Sequence, residues 1–169
     1  MATSVIKPMN SQGTKIFVLP VPASTFADCA AAVVAIHGGK QVMCPQSLGD
    51  ITQTRSVTEY KCLSSNDSVK IMGAISRGNL TVGMLYDPTD ALGQKTLVDA
   101  FENNTPVIVG IELPDNPSTD KAKGNGTIKW FKGAISEESM PIEMDAAILY
   151  NVTIEVSSAI TTCPAVKVP

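Results

Sequence analysis

From Asn79 to Val156 the hydrophobic and polar positions alternate, pause, and alternate again. Leu80, Val82, Met84 and Tyr86 fall on one parity and Thr81, Gly83 and Leu85 on the other, the period-two pattern of a half-buried strand. Asp87-Pro88-Thr89-Asp90 breaks that pattern and predicts a helix over 90–103. Asp87 or Thr89 can take its orphan N–H groups, and Asp90 sits well near the positive end of the helix dipole. Leu92, Leu97, Ala100 and Phe101 give this helix an apolar face, Gln94, Lys95, Asp99 and Glu102 lie largely outside, and Asn103-Asn104 closes it. Thr105–Leu113 alternates again, and Pro114, Asn116 and Pro117 stop it. A polar loop over 114–126 reads as solvated surface. The next strand, 126–138, carries Trp130 beside Phe131; neighbours in a strand point to opposite faces, so both faces must shelter a ring. Ile148, Tyr150, Val152, Ile154 and Val156 form the cleanest apolar face of the chain.

Upstream the pattern is weaker. Residues 1–14 have no periodicity and read as a flexible arm. Lys15–Leu19 is a short strand stopped by Pro20 and Pro22. Ala23–Ile36 predicts an alanine-rich helix, capped by Ser24 or Thr25 and ended by Gly38-Gly39. Residues 39–49 give no assignment. Ile51–Cys62 reads as a strand with two polar faces: Thr52, Thr54, Ser56, Thr58 and Tyr60 on one, Arg55, Val57 and Glu59 among those on the other. Such a strand faces water or another subunit. With the turn Leu63–Asp67 and the strand Val69–Ile75 it makes a long hairpin over 49–78 that projects from the core. The expected organisation is an arm (1–14), one domain (15–157) and a C-terminal tail (158–169).

Composition sharpens this picture. Only 17% of the 169 residues are charged, against 44% hydrophobic. A lone soluble domain normally carries about a quarter. An ordinary β-rich domain with a Thr/Ser/Asn surface competes with a subunit covered by copies of itself, and the balance favours the second. Net charge is −3 with 13 scattered cations, which argues against tight nucleic-acid binding. Met1–Lys7 lacks the charged start and apolar core of a signal peptide, and the longest apolar run, Cys29–Ile36, is too short to span a bilayer. Cytoplasmic synthesis, no membrane partner and no cofactor are expected.

Reactive constellations are missing. The only histidine, His37, reads as a helix-end residue without a nucleophile to activate. Cys29, Cys44, Cys62 and Cys163 have no metal-ligand spacing and read as reduced thiols, with pairing left open. Glu137-Glu138 are adjacent and diverge, so they read as a solvated turn. Gly124-Asn125-Gly126 lacks the lysine of a phosphate loop. Lys129-Trp130-Phe131-Lys132 is better explained by core rings with flanking lysines than by a base-stacking platform. The chain is not expected to be an enzyme.

The segments PTDALGQKTLVDAFENN, PVIVGIELPDN, NGTIKWFKGAISEE and AILYNVTIEVSS, in this order after GTKIFV, resemble the tail tube proteins of lambda-like, long-tailed, non-contractile bacteriophages. The resemblance covers 13–19 and 49–157. Segment 20–48 has no counterpart, loop 114–126 is lengthened, and the appended immunoglobulin-like domain of some members is not expected. The resemblance implies an α+β, mainly β fold, with two packed antiparallel sheets (a sandwich or barrel), a flanking helix and a long protruding hairpin. It implies six-fold rings that stack into a hollow tube on a baseplate or tail tip, with a tape measure protein, a terminator, and genomic DNA passing through the lumen without specific binding. The virion tail is the implied location, after assembly in the host cytoplasm. On this reading Arg55, Glu59, Tyr60, Asn66 and Asp67 belong to the inter-ring hairpin, and Glu112 and Glu155 face an acidic lumen. The inner tube of a contractile tail or type VI secretion apparatus, and a monomeric receptor- or carbohydrate-binding β-sandwich, are the alternatives.

Overall fold

The computed structural model describes residues 11–22, 26–61, 67–118 and 124–166. In chain order its elements are β1 (Lys15–Pro20), α1 (Cys29–His37), β2 (Lys40–Gln41), β3 (Pro45–Leu48), β4 (Gln53–Lys61), β5 (Ser68–Arg77), β6 (Asn79–Leu85), α2 (Gly93–Glu102), β7 (Val107–Glu112), β8 (Ile128–Ser139), β9 (Leu149–Val156) and β10 (Thr161–Cys163). The fold is mainly β, as expected, with two antiparallel sheets. One has eight strands in the order β2-β1-β7-β8-β9-β6-β3, with β10 paired to the start of β8; the other is the β4-β5 hairpin alone.

The large sheet curls almost shut. β2 and β3 are its two ends, yet only Val42, Met43 and Cys44 separate them in the chain. The four steps from Gln41 to Pro45 span about 14 Å at most. The Val42 N–H donates to Ile16 O on the β1 side, and Cys44 O accepts from the Leu85 N–H on the β6 side. Cys44 makes the change of side with φ at 47°. Ile16 and Val18, Leu80 and Val82, and Ile154 consequently share one interior core with Phe131. Burying each of these side chains is worth about 1.5–3 kcal/mol.

Helix α2 closes that core with Leu97 and Ala100. Its cap is Asp90, whose carboxylate accepts from the N–H groups of Leu92, Gly93 and Gln94. Asp87, one of the two caps expected from sequence, instead accepts from Thr89 in the turn before it. Leu92 lies before the first helical residue and is exposed, not on the core face. Gln94, expected outside, is buried: its Nε2 donates to Leu85 O at 2.6 Å, and its Oε1 accepts from Asp87 N at 3.1 Å. Asn104 ends the helix in the left-handed region, φ 49°, with its N–H on Phe101 O.

Helix α1 lies on the opposite, outer face, where Ala32 and Ile36 pack with Phe17, Leu19, Ile108 and Ile128. Trp130 joins this cluster while Phe131 enters the interior one, so the two rings do flank the sheet. The helix is shorter than the sequence predicts. Asp28 caps it, accepting from Ala31 N at 2.8 Å; Ser24 and Thr25 lie outside the described residues. Close approach to β7 depends on Gly110, where a Cβ would meet Ile36 Cγ2 at 2.5 Å. The thiol reading of the cysteines is corrected for one pair: Cys29 and Cys163 form a disulfide with Cα atoms 5.4 Å apart, fastening α1 to β10. Cys44 is free and exposed, and Cys62 lies outside the described residues. The stretch read as a tail therefore contributes β10 and an antiparallel bridge from Val166 to Asn125.

Candidate assembly surfaces

The hairpin is the most exposed element of the fold. Every residue of β4 is exposed, as is every residue of β5 except Arg77, which is half-buried. Nine to ten residues per strand make a ribbon about 30 Å long. Its two strands pair only with each other, so both outer edges are open. The register places Tyr60 opposite Val69 and Thr58 opposite Ile71 on one face, and Arg55 opposite Ile75 and Val57 opposite Met72 on the other. Between Arg55 and Val57 the register shifts, and Gly73 faces Ser56. Two polar faces were expected from β4 alone. The partner strand corrects this: it lays Val69, Ile71, Met72 and Ile75 beside those polar positions, all exposed. An isolated two-stranded ribbon is marginal in water, and one carrying bare aliphatics gains by being covered. Arg55 and Glu59 share a face and Tyr60 takes the other; Asp67 sits exposed just before β5, and Asn66 lies outside the described residues.

The outer face of the barrel divides in two. Helix α1 covers β1, β7 and the start of β8. The remainder is bare and lined by small polar side chains: Ser47, Thr81, Ser136, Asn151 and Thr153. Thr81 and Thr153 hydroxyls lie 3.4 Å apart across β6 and β9. Glu155 is on this face, exposed, with Ser136 Oγ 3.4 Å from its carboxylate.

Glu112 does not share that setting. Like Glu155 it was expected to face the lumen, but it is buried, near the end of α1. Its Oε1 accepts from Gly126 N at 3.0 Å, and its Oε2 faces His37 Nε2 at 3.4 Å and Lys15 Nζ at 3.8 Å. These partners come from three other parts of the chain, which is why the alternation of β7 alone could not reveal them. His37 is the last residue of α1, as expected, and its ring stands 5.4 Å from that of Phe17.

The loop 114–126 is anchored by Asp115, which accepts from the N–H and hydroxyl of Thr127, both at 2.6 Å. Burial pushes the Asp115 carboxyl up, and the two Thr127 bonds outweigh it, leaving the pKa below 3.8. Among the described residues no group of three or more His, Cys, Asp or Glu could hold a metal ion. No described helix is long and apolar enough to cross a membrane.

Compared by sequence, the chain matches no protein-family model and no curated protein. Compared by structure, it resembles a chain in the cryo-EM structure of the PVC sheath/tube terminator, an extracellular contractile injection system in the extended state. The TM-score is 0.67 at 11% identity, over 95% of this chain and 99% of that one. The SPP1 tail tube gives 0.61 at 16% identity, over 92% and 78%. A chain in the six-fold symmetrised cryo-EM structure of the anti-feeding prophage (AFP) baseplate gives 0.64 at 9% identity, over 97% and 98%. What this chain has in common with them, across nearly its whole length, is the tail-tube fold.

Proposed function

We propose that this chain is the repeating subunit of a tail tube: copies close into six-membered rings, and the rings stack into a hollow conduit through which DNA leaves a non-contractile phage tail. The observation that carries the reading is the bare ribbon of β4 and β5, with both faces and both edges open, on a barrel whose own edges are nearly closed. Such a subunit polymerises through its ribbon. The fold shared with the SPP1 tail tube supports a tube, and the six-fold AFP baseplate supports six copies per ring.

The bore is assigned to the bare face of β3, β6 and β9. The side chains named on it include no cation and it carries the Glu155 carboxylate, so phosphates meet only weak neutral donors and a repelling charge, and DNA slides. Glu112, paired and buried, has no part in this lining. A tape measure protein, a tail tip or baseplate and a terminator complete the proposed assembly, which forms in the host cytoplasm and acts in the virion. The subunit works without catalysis.

The likeness to chains from PVC and AFP favours a second reading, the inner tube of a contractile apparatus. Negative-stain microscopy of concentrated pure protein tests both. Hollow tubes are expected; a protein that stays monomeric at every concentration overturns the proposal. Tubes that recruit a contractile sheath in a lysate of the native assembly would replace the first reading by the second.

A further inference from the structure

The two ends of the barrel are chemically opposite. β6 runs from Asn79, paired with Glu155, to Leu85, paired with Leu149. The ribbon leaves at the Asn79 end, where Gly78 N donates to Thr52 O at 3.1 Å. At the Leu85 end, about 20 Å away along the strand, lie the segment 86–92 and the β8–β9 loop 140–148. That far end is apolar and bare: Ile142 is 72% exposed and Met144 93%, and Leu92 and Met140 are exposed beside them in the sequence segments concerned. A monomer rarely leaves such a patch open to water.

The far end is also acidic. It carries Asp87, Asp90, Glu138, Glu143 and Asp145, and no lysine or arginine falls within 86–94 or 133–148. The nearby Lys95 is held by Asp99 at 3.0 Å. The ribbon has the reverse balance, with Arg55, Lys61, Lys70 and Arg77 against Glu59 and Asp67. Its apolar side chains are exposed too, from 39% at Ile75 to 62% at Met72. Next to the acidic loop, a groove of about 280 Å³ opens between Tyr86, Ala91, Val98 and Tyr150.

We infer that the acidic, apolar end formed by 86–92 and 140–148 is the receptor for the β4–β5 ribbon of a second copy of this chain; the inference rests on the tube reading above and names its axial contact. Each protomer carries one basic apolar donor and one acidic apolar acceptor at opposite ends. The contact is therefore heterologous and repeats along an axis without closing. Two acceptor ends brought together would set carboxylates against carboxylates, so the charges also enforce head-to-tail polarity.

The test is a charge exchange in the full chain. The donor variant is Arg55→Glu with Lys70→Glu. The acceptor variant is Glu143→Lys with Asp145→Asn; Asn is chosen because Asp145 has φ at 62°, which Asn tolerates. All four positions are exposed, so thermal melts of both variants should match the wild type. The expected result is that each variant raises the critical concentration for tube growth at least tenfold at low salt. The four changes together, or an equal mixture of the two variants, should restore growth. An acceptor variant that forms tubes as readily as the wild type, or a fourfold variant that stays unassembled, overturns this contact and leaves the tube reading intact. A wild type that never assembles overturns both.

Discussion

If the proposed tube forms through the ribbon, Ile71→Thr separates what the ribbon contributes to folding from what it contributes to growth. Ile71 is 55% exposed, opposite Thr58, so nearly half of it is already covered within the protomer. Fully burying an isoleucine is worth about 1.5–3 kcal/mol, so covering the open half in a contact is worth about 1 kcal/mol. Threonine keeps the β-branched shape that suits a strand and loses most of that gain. Protomer stability should change by about 0.5 kcal/mol or less, as for most exposed positions. In the proposed ring of six the same contact would recur six times, so the loss per added ring would be about 6 kcal/mol, or roughly 10⁴-fold in the ring-to-end equilibrium. Pelleting polymer across a concentration series reads the critical concentration, and circular dichroism melts read the protomer. Expected is a large rise in the first with little change in the second. An unchanged critical concentration would show that the ribbon face is not a contact. A drop in melting temperature as large as the loss of assembly would show that Ile71 serves the protomer's own fold.

Three further outcomes follow from the packing. Gln94→Leu leaves Leu85 O and Asp87 N without their side-chain partner at a buried site, and should cost about 2–4 kcal/mol in denaturant melts. Cys163→Ser, or a reducing agent, opens a cross-link between residues 134 positions apart; the chain-entropy account puts the loss at up to about 5 kcal/mol, read as a lower melting temperature, with α1 becoming open to proteolysis. Asp115 titrates below its unfolded value of 3.8, so its contribution to stability is present above that pH and is lost as pH falls through the folded pKa. Asp115→Asn should therefore flatten the acid limb of the stability curve below about pH 4, and an unchanged acid limb would refute the role given to Thr127.

How far the sequence reveals this fold depends on the distance between a residue and its partner. β6, β7, β8 and β9 were legible because one face of each meets the same interior, and alternation records that directly. Trp130 and Phe131 were legible for the same reason. β2 and β3 were not: two and four residues, mostly exposed, leave no periodic trace. Gln94 and Glu112 read as surface groups because their positions in helix and strand said nothing about Leu85, Lys15, His37 or Gly126. The cysteines were ambiguous for the same physical reason, since only the packing of α1 against β10 brings Cys29 to Cys163. The hairpin showed its lack of a home in the polar faces of β4, while its apolar half lay on a strand ten residues later. Of the named surface residues, Arg55, Glu59, Tyr60 and Glu155 are exposed where a contact or a bore could use them, and Glu112 is not.

The three-residue stitch from Val42 to Cys44 has a bearing on how such a protein avoids harming itself. Stray main-chain zippering between half-finished copies is the standing hazard for anything built from strands, and for the proposed subunit it would act before assembly. By linking the first and last rows of its large sheet through Val42–Cys44, this chain leaves only short edges there, at β2, β3 and β10. The long open main-chain edges are gathered instead on one slender projection, β4 and β5, where the proposed tube would use them.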